Sequence, residues 1–457
     1  MRSPLLLAAL LLTAPAAATE APSKPWRVHQ ATGAPDWLWF GAEQRTRFEH
    51  LAHDFRAAHE GNATALALRT SIAAELRLAP LALGVEVQDS RMLATEGAPL
   101  DTTHVDPLDV LQAYVRLKHS AVLDAGDEAQ VTLGRFTMSL GSQRLVSRND
   151  FRNTNNNFTG IDLSWTTAAR QSLRAFVVWP VVRLPSEPDA LADHRLARDR
   201  ESTRTVFWGT FHSLPLPSEL ELELYVFGLH ERDEDFAPST NRRLVTPGAR
   251  LLRAPKAGQL DFQFEPMVQV GTSRASRAVA DRENLSHRAA STHASVGYRF
   301  DAPWTPRVVV QHDYASGDRE PNDGENNRFS PLFGTGRFEF GPSGLFGTVA
   351  RANLHSPGLR VEAEPHAQVD AFVAYRPFWL ASKRDAWTTA GMRDPTGDSG
   401  SFIGHQLEAR VRWHAVPKNL ALELGAAHLA RGEFAKSAPG GRSEPSSFAY
   451  GQVTLTL

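Results

Sequence analysis

The chain has 457 residues, with 49 Lys and Arg against 51 Asp and Glu, a formal charge of −2. That balance excludes whole-chain binding of nucleic acid, which needs a basic excess. With no Cys at all there is no disulfide frame, no thiolate metal site and no Cys nucleophile.

Residues 1–18 read as a secretory signal peptide. Arg2 supplies a positive start, Leu5 to Leu12 an apolar run, and Ala16-Ala17-Ala18 a small-residue cleavage site. No Cys follows, so a lipoprotein anchor is not expected. Residues 19–35 form a short periplasmic lead. After Thr19 no apolar stretch of about eighteen residues remains, which excludes a helical membrane protein.

From residue 36 onward the chain alternates. Leu66, Leu68, Thr70, Ile72, Ala74, Leu76 and Leu78 share one face, opposite Ala67, Arg69, Ser71, Ala73, Glu75 and Arg77. Period two is a strand. The pattern returns in Leu81 to Gln88, Leu220 to Phe227, Leu260 to Glu265, Ala290 to Phe300 and Ile403 to Trp413. These runs are about nine to thirteen residues long, whereas soluble strands cluster near five or six. Aromatic residues sit near their ends: Trp37, Trp39, Phe48, Trp165, Trp179, Phe300, Trp304, Phe378, Trp379 and Trp413, as interfacial girdles require.

Tight turns at Ala79-Pro80, Ala302-Pro303 and Val416-Pro417 alternate with long polar stretches at Glu187 to Glu201, Glu231 to Arg243, Arg274 to His287 and Gly317 to Phe340. The expected fold is all-β: a transmembrane antiparallel β-barrel over residues 36–457, with short periplasmic turns and long extracellular loops. Eighteen or nineteen strands can be counted, with Leu345 to Arg351 the undecided one, and the even-number rule selects eighteen. The last strand alternates to Leu457, where outer-membrane barrels usually end in Phe. The location this predicts is the outer membrane of a diderm bacterium, in contact with its lipid and inserted by the barrel assembly machinery.

A bore of eighteen strands is wet, so inward charges matter. Lumen candidates are Glu43, Arg45, Arg47, Glu75, Arg77, Glu86, Glu221, Glu223, Arg360, Glu362, Glu408 and Arg410. Taken singly, most such residues only pair across neighbouring strands and stiffen the wall. Arg135, Arg144, Arg148 and Arg152 differ, because only Asp150 offsets them in sequence. Guanidinium forks pair carboxylates bidentately, and rings of Arg line anion pores. These four are the basic-constriction candidates, on a strand lining or on an in-folded loop.

Two stretches go beyond alternation. One runs from Gly134 to Thr154 and on to Phe158-Thr159-Gly160; the other joins Asp313 to Asp318 with Asn326 to Gly334. Both resemble the alginate export family of outer-membrane barrels. The resemblance implies an eighteen-stranded channel through which an anionic polysaccharide, alginate or a relative, leaves the periplasm, fed by periplasmic polysaccharide-export proteins. It also implies an arginine-rich constriction balanced by carboxylates, with Arg135, Arg144, Arg148 and Arg152 matching the basic stretch. Asn156, Asn157 and Thr159 stand where the family often has basic residues and an Asp.

The rival reading is a porin for uptake of small anionic solutes. Catalysis is not expected: Ser142 with His119, or Ser316 with His312, lack a supporting GxSxG elbow. Nor is a cofactor or metal expected. In Asp318 to Asn327 the glycine, Gly324, falls one place late for a calcium loop.

Overall fold

The computed structural model describes residues 25–278 and 280–457; the signal-peptide segment and the first residues of the lead lie outside the described residues. Eighteen long strands follow one another. The first seven are β1 (Leu38–Ala52), β2 (Ala63–Leu78), β3 (Leu81–Glu96), β4 (Asp106–Ser120), β5 (Glu128–Phe136), β6 (Phe158–Thr166) and β7 (Ser172–Val182). Then come β8 (Val206–Leu216), β9 (Leu220–His230), β10 (Arg243–Arg253), β11 (Gln259–Ser273), β12 (Leu285–Arg299) and β13 (Arg307–Ala315). The last five are β14 (Leu354–His366), β15 (Val369–Trp379), β16 (Phe402–Val416), β17 (Leu420–Arg431) and β18 (Ser446–Thr456).

Each strand pairs antiparallel with its chain neighbours, and β1 pairs with β18 from Glu43↔Thr456 to Ala52↔Ser447. The sheet is therefore closed. Closure leaves no edge of unpaired amides, the condition for strands to cross a bilayer. The lead residue Trp26 is tied to this seam. Its N–H donates to Asn419 Oδ1 at 2.9 Å, and its carbonyl accepts from Asn419 Nδ2 at 2.7 Å.

Burial is inverted relative to a soluble sandwich. Ile72, Leu224, Val310 and Val296 are 61%, 41%, 61% and 55% exposed, while Arg47, Glu49, Glu265, Asp313 and Arg376 are 2% exposed or less. One face of each strand is greasy and outward, as lipid demands; the other is polar and enclosed. Trp37, Trp39, Trp165, Phe300, Trp304 and Trp413 fall at the short-turn end, and Phe48, Trp179, Trp208 and Trp379 toward the other. Phe378 leaves the expected girdle: it is fully buried and packs edge-on against Phe340.

Connections at one end run two to seven residues and at the other nine to thirty-eight. The turns at Ala79-Pro80, Ala302-Pro303 and Val416-Pro417 all lie at the short end. Leu345 to Arg351 is no strand. It belongs to the single connection 316–353, where Leu345 and Phe346 pack inside the barrel at 0% exposure. Residues 285–287, expected in a loop, begin β12 instead.

Candidate functional site: a permeation path around two inward loops

Two connections fold into the bore, residues 137–157 between β5 and β6, and residues 316–353 between β13 and β14. They leave the ring eight strands apart among eighteen, close to diametrically opposite. They meet backbone to backbone. The Ser147 N–H donates to the Phe333 carbonyl at 3.1 Å, the Phe333 N–H to the Leu145 carbonyl at 3.0 Å, and the Thr335 N–H to the Gln143 carbonyl at 3.0 Å. The Asn156 amide donates to the Ser147 and Phe333 carbonyls. Gly334 permits the contact, since a Cβ there would sit 1.8 Å from the Arg144 carbonyl oxygen. The two stretches that carried the family resemblance are thus the two halves of one clasp.

Buried ion pairs fix the clasp to the wall. Arg144 bonds Glu265 of β11 and, at 2.7 Å, Glu339; Glu339 reaches Arg351 at 3.0 Å; Arg351 and Arg376 both hold Asp313, at 2.8 and 2.7 Å. Burial works against the Arg144 charge, but Glu339, Glu265 and Asp313 outweigh it and raise its pKa. Its charge is fully spent within the protein. Arg148 pairs with Glu86 at 2.6 Å and with Asp150 at 3.1 Å.

On the opposite flank, wall arginines grip the loop's carbonyls. Arg45 donates to Asp150 O at 2.7 Å and Arg152 O at 2.7 Å, Arg69 to Asp150 O at 2.9 Å, and Arg47 to Phe151 O at 2.6 Å. Arg135 stands apart. It has the strand parity of outward Leu133, and it pairs with Glu201 at 2.6 Å and with Asp109 at 3.4 Å. Arg152 makes no ion pair among the described residues. Burial and the neighbouring Arg183 push its pKa down to about 10. A cation so placed is stabilised by an incoming anion.

The remaining lumen candidates face inward and are matched. Glu75 accepts from Arg77, Tyr114 and Arg116; Glu221 from Ser213; Glu223 from Arg250. Glu362 pairs with Arg360 and Arg307, Glu408 with Arg337, and Arg410 with Asp370.

Below the clasp, toward the short turns, lies a chamber of about 310 Å³. Six arginines line it (Arg45, Arg69, Arg337, Arg360, Arg410 and Arg412) against Glu43, Asp150 and Glu423. Their planes rest on aromatic faces: Arg337 lies 4.6 Å from the Phe151 centroid, and Arg360 and Arg410 lie 3.8 and 4.9 Å from that of Phe372. Stacking of this kind fixes the plane and leaves the N–H edges for carboxylates. Arg360, Phe372 and Arg410 also line a second cavity that reaches the short-turn mouth. Thr335 lines both the basic chamber and an outer cavity of about 290 Å³ holding Arg56, Arg152, Arg351 and His104. The basic chamber therefore adjoins one cavity toward the short turns and, across the clasp, another on the long-loop side.

Arg69, Arg337 and Arg412 were absent from the sequence candidates. Arg69 and Arg412 had the right signal, an Arg on the polar face of an alternating strand, but Arg337 sits in a loop where no periodicity marks direction. The Ser–His pairs are not brought together. The Ser142 hydroxyl donates to Glu265, far from His119 at the short-turn end of β4; Ser316 is buried while His312 is exposed on the outer face.

A family model for alginate export matches residues 36–449. The chain belongs to the alginate export family. Comparison with curated proteins finds no match. Solved structures share the fold. OccAB1 of Acinetobacter baumannii aligns over 92% of this chain and 97% of its own at 11% identity, TM-score 0.61. OccK2 (OpdF) of Pseudomonas aeruginosa, in complex with glucuronate, aligns over 92% and 98% at 14% identity, TM-score 0.56. Pseudomonas aeruginosa OpdQ aligns over 92% and 97% at 12% identity, TM-score 0.57. This alginate export family member is an outer-membrane channel, its short turns periplasmic and its long loops extracellular.

Proposed function

We propose that the channel carries an anionic polysaccharide of the alginate class outward from the periplasm. The observation that supports this best is the arginine excess of the chamber beneath the clasp, six against three acidic groups. A uronate chain presents one carboxylate per sugar. Arginines already engaged by Glu362 and Asp370 hold any one carboxylate weakly enough to release it, which conduction requires. Arg152 supplies a further cation on the outer side. The reading includes removal of residues 1–18, insertion by the barrel assembly machinery, and delivery of polymer by periplasmic export proteins.

Replacing Arg360 and Arg410 together by Ser tests it. Planar-bilayer reversal potentials should move toward cation preference, and polymer release in a strain carrying the variant should slow, with assembly intact. Unchanged anion preference would refute the basic chamber as the selective element. The alternative, uptake of small anionic solutes, is favoured by the chamber's size, about 310 Å³, and by the glucuronate held by OccK2. Saturable flux of monomeric uronate, with normal polymer secretion in a strain lacking the gene, would establish that reading instead.

A further inference from the structure

At the long-loop end, beside the path, Asp106 and Asp109 of β4 meet Asp199 of the 183–205 connection. One oxygen from each lies within 4.8 Å of the others, and the three residues are 4%, 6% and 5% exposed. Residues three apart on a regular strand point to opposite faces. Here Leu108 adopts a φ of 61°, and the ladder to β3 slips so that Gln88 faces Asp109 while Ser90 faces Asp106. Both carboxylates are thereby buried on the same side.

The cations nearby are engaged elsewhere. Arg135 is 3.4 Å from Asp109 but closer to Glu201, and Arg183 donates to the carbonyls of Thr102 and Asn155 at 2.8 and 2.9 Å. Among the described residues no ion pair reaches Asp106 or Asp199. A separate observation also points to a ligand. Asn157, 2% exposed, comes from the end of the inward loop and donates its Nδ2 to Asp109 Oδ2 at 3.1 Å, yet its Oδ1 has no partner; neither has Asp199 Oδ2. Buried acceptors are almost always satisfied. One empty acceptor on the Asp199 carboxylate itself, and one on the amide bonded to Asp109, mark the place of a missing positive charge.

We propose that Asp106, Asp109, Asp199 and Asn157 hold a calcium ion that fastens the 183–205 connection to the barrel wall. The donor set is oxygen alone, which suits a hard cation. An ion about 2.4 Å from each oxygen needs carboxylate oxygens no more than about 4.8 Å apart, as found. Calcium accepts irregular sets of protein oxygens, whereas magnesium demands a near-ideal octahedron and keeps its waters; a buried, protein-lined cluster fits the former. The ion would join three segments distant in sequence: a strand top, an outer connection and the base of the inward loop. This site does not depend on which solute the channel carries.

The test uses the purified barrel in detergent, stripped with EDTA and then equilibrated with about 1 mM calcium, the range in which extracellular calcium modules fill. Equilibrium dialysis should find one calcium per chain, and Tm from tryptophan fluorescence should rise with calcium. Asp199→Asn and Asn157→Ala should each lose the bound ion and the calcium-dependent rise. The wild-type dialysis stands alone if a variant fails to refold. No bound calcium, retention of the ion by Asp199→Asn, displacement by equal magnesium, or a Tm that follows pH but not calcium (carboxylates sharing protons) would each overturn the proposal.

Discussion

Replacing Arg144 by Met should loosen the clasp while the barrel stays folded. The Arg144 side chain is 3% exposed and its partners Glu265 and Glu339 are 3% and 4% exposed. Removing one member of a buried ion pair costs about 3–5 kcal/mol, because it strands the other charge. Neither carboxylate is wholly stranded here. Glu339 keeps Arg351 at 3.0 Å, and Glu265 keeps the Tyr225 and Ser142 hydroxyls at 2.7 and 3.0 Å. The cost therefore falls near the lower bound, about 3 kcal/mol, or on the order of a hundredfold in the equilibrium between docked and released loop. Arg148 is the control. It is 24% exposed, and Glu86 retains Gln112 when it is removed, so Arg148→Met should cost about 1 kcal/mol or less. Limited trypsinolysis of refolded protein reads the difference, since Arg152 becomes cleavable only when the loop is released. Equal cleavage rates in the two variants would refute the assignment of Arg144 to the clasp.

Gly334→Ala places a methyl against the Arg144 carbonyl at 1.8 Å; it should separate the loops, and raised open-channel noise in bilayer recordings checks this. Leu224→Arg puts a charge on a lipid-facing position 41% exposed and should destabilise the barrel by about 2–4 kcal/mol at the midplane, measured by urea unfolding in lipid vesicles. Burial raises the pKa of Glu231, but Arg242 and the backbone amides of Arg242 and Thr240 outweigh it, so the folded value lies below the ordinary one. Its contribution is then complete above the unfolded pKa and disappears as pH falls through the folded value. The 231–242 loop should become pepsin-sensitive in acid before the barrel unfolds, and Glu231→Gln should show the weakened loop at neutral pH.

The strands were legible because a lipid-facing wall forces strict period two: Leu66 to Leu78 reads directly as β2, and the turn at Ala79-Pro80 needs no tertiary information. Phe378 was misplaced because its position near a strand end carries no sign of direction, which the inward loop and Phe340 decide. Leu345 to Arg351 resembled a strand because burial inside a bore leaves apolar residues just as a lipid face does. The partners of Arg144 were not legible. Glu265 and Glu339 are more than a hundred residues away, so local charge counting made the arginine look free. The same holds for Asp106, Asp109 and Asp199, where a slip in the ladder assembles what linear spacing scatters. Arg337 and Arg412 reach the chamber with Arg360 and Arg410, so the basic lining owes more to the wall and the second loop than to the arginines that stood out in the sequence.

Because the two halves of the obstruction spring from nearly opposite sides of the ring and hold each other by main-chain bonds, neither can swing aside alone. Withdrawing the 137–157 segment pulls on Phe333 and Thr335, and through Glu339 and Arg351 on the far wall. Such a latch lets go as a unit. Current through a single molecule should accordingly jump between two levels rather than drift through a range of widths, and an agent that frees one loop will free both.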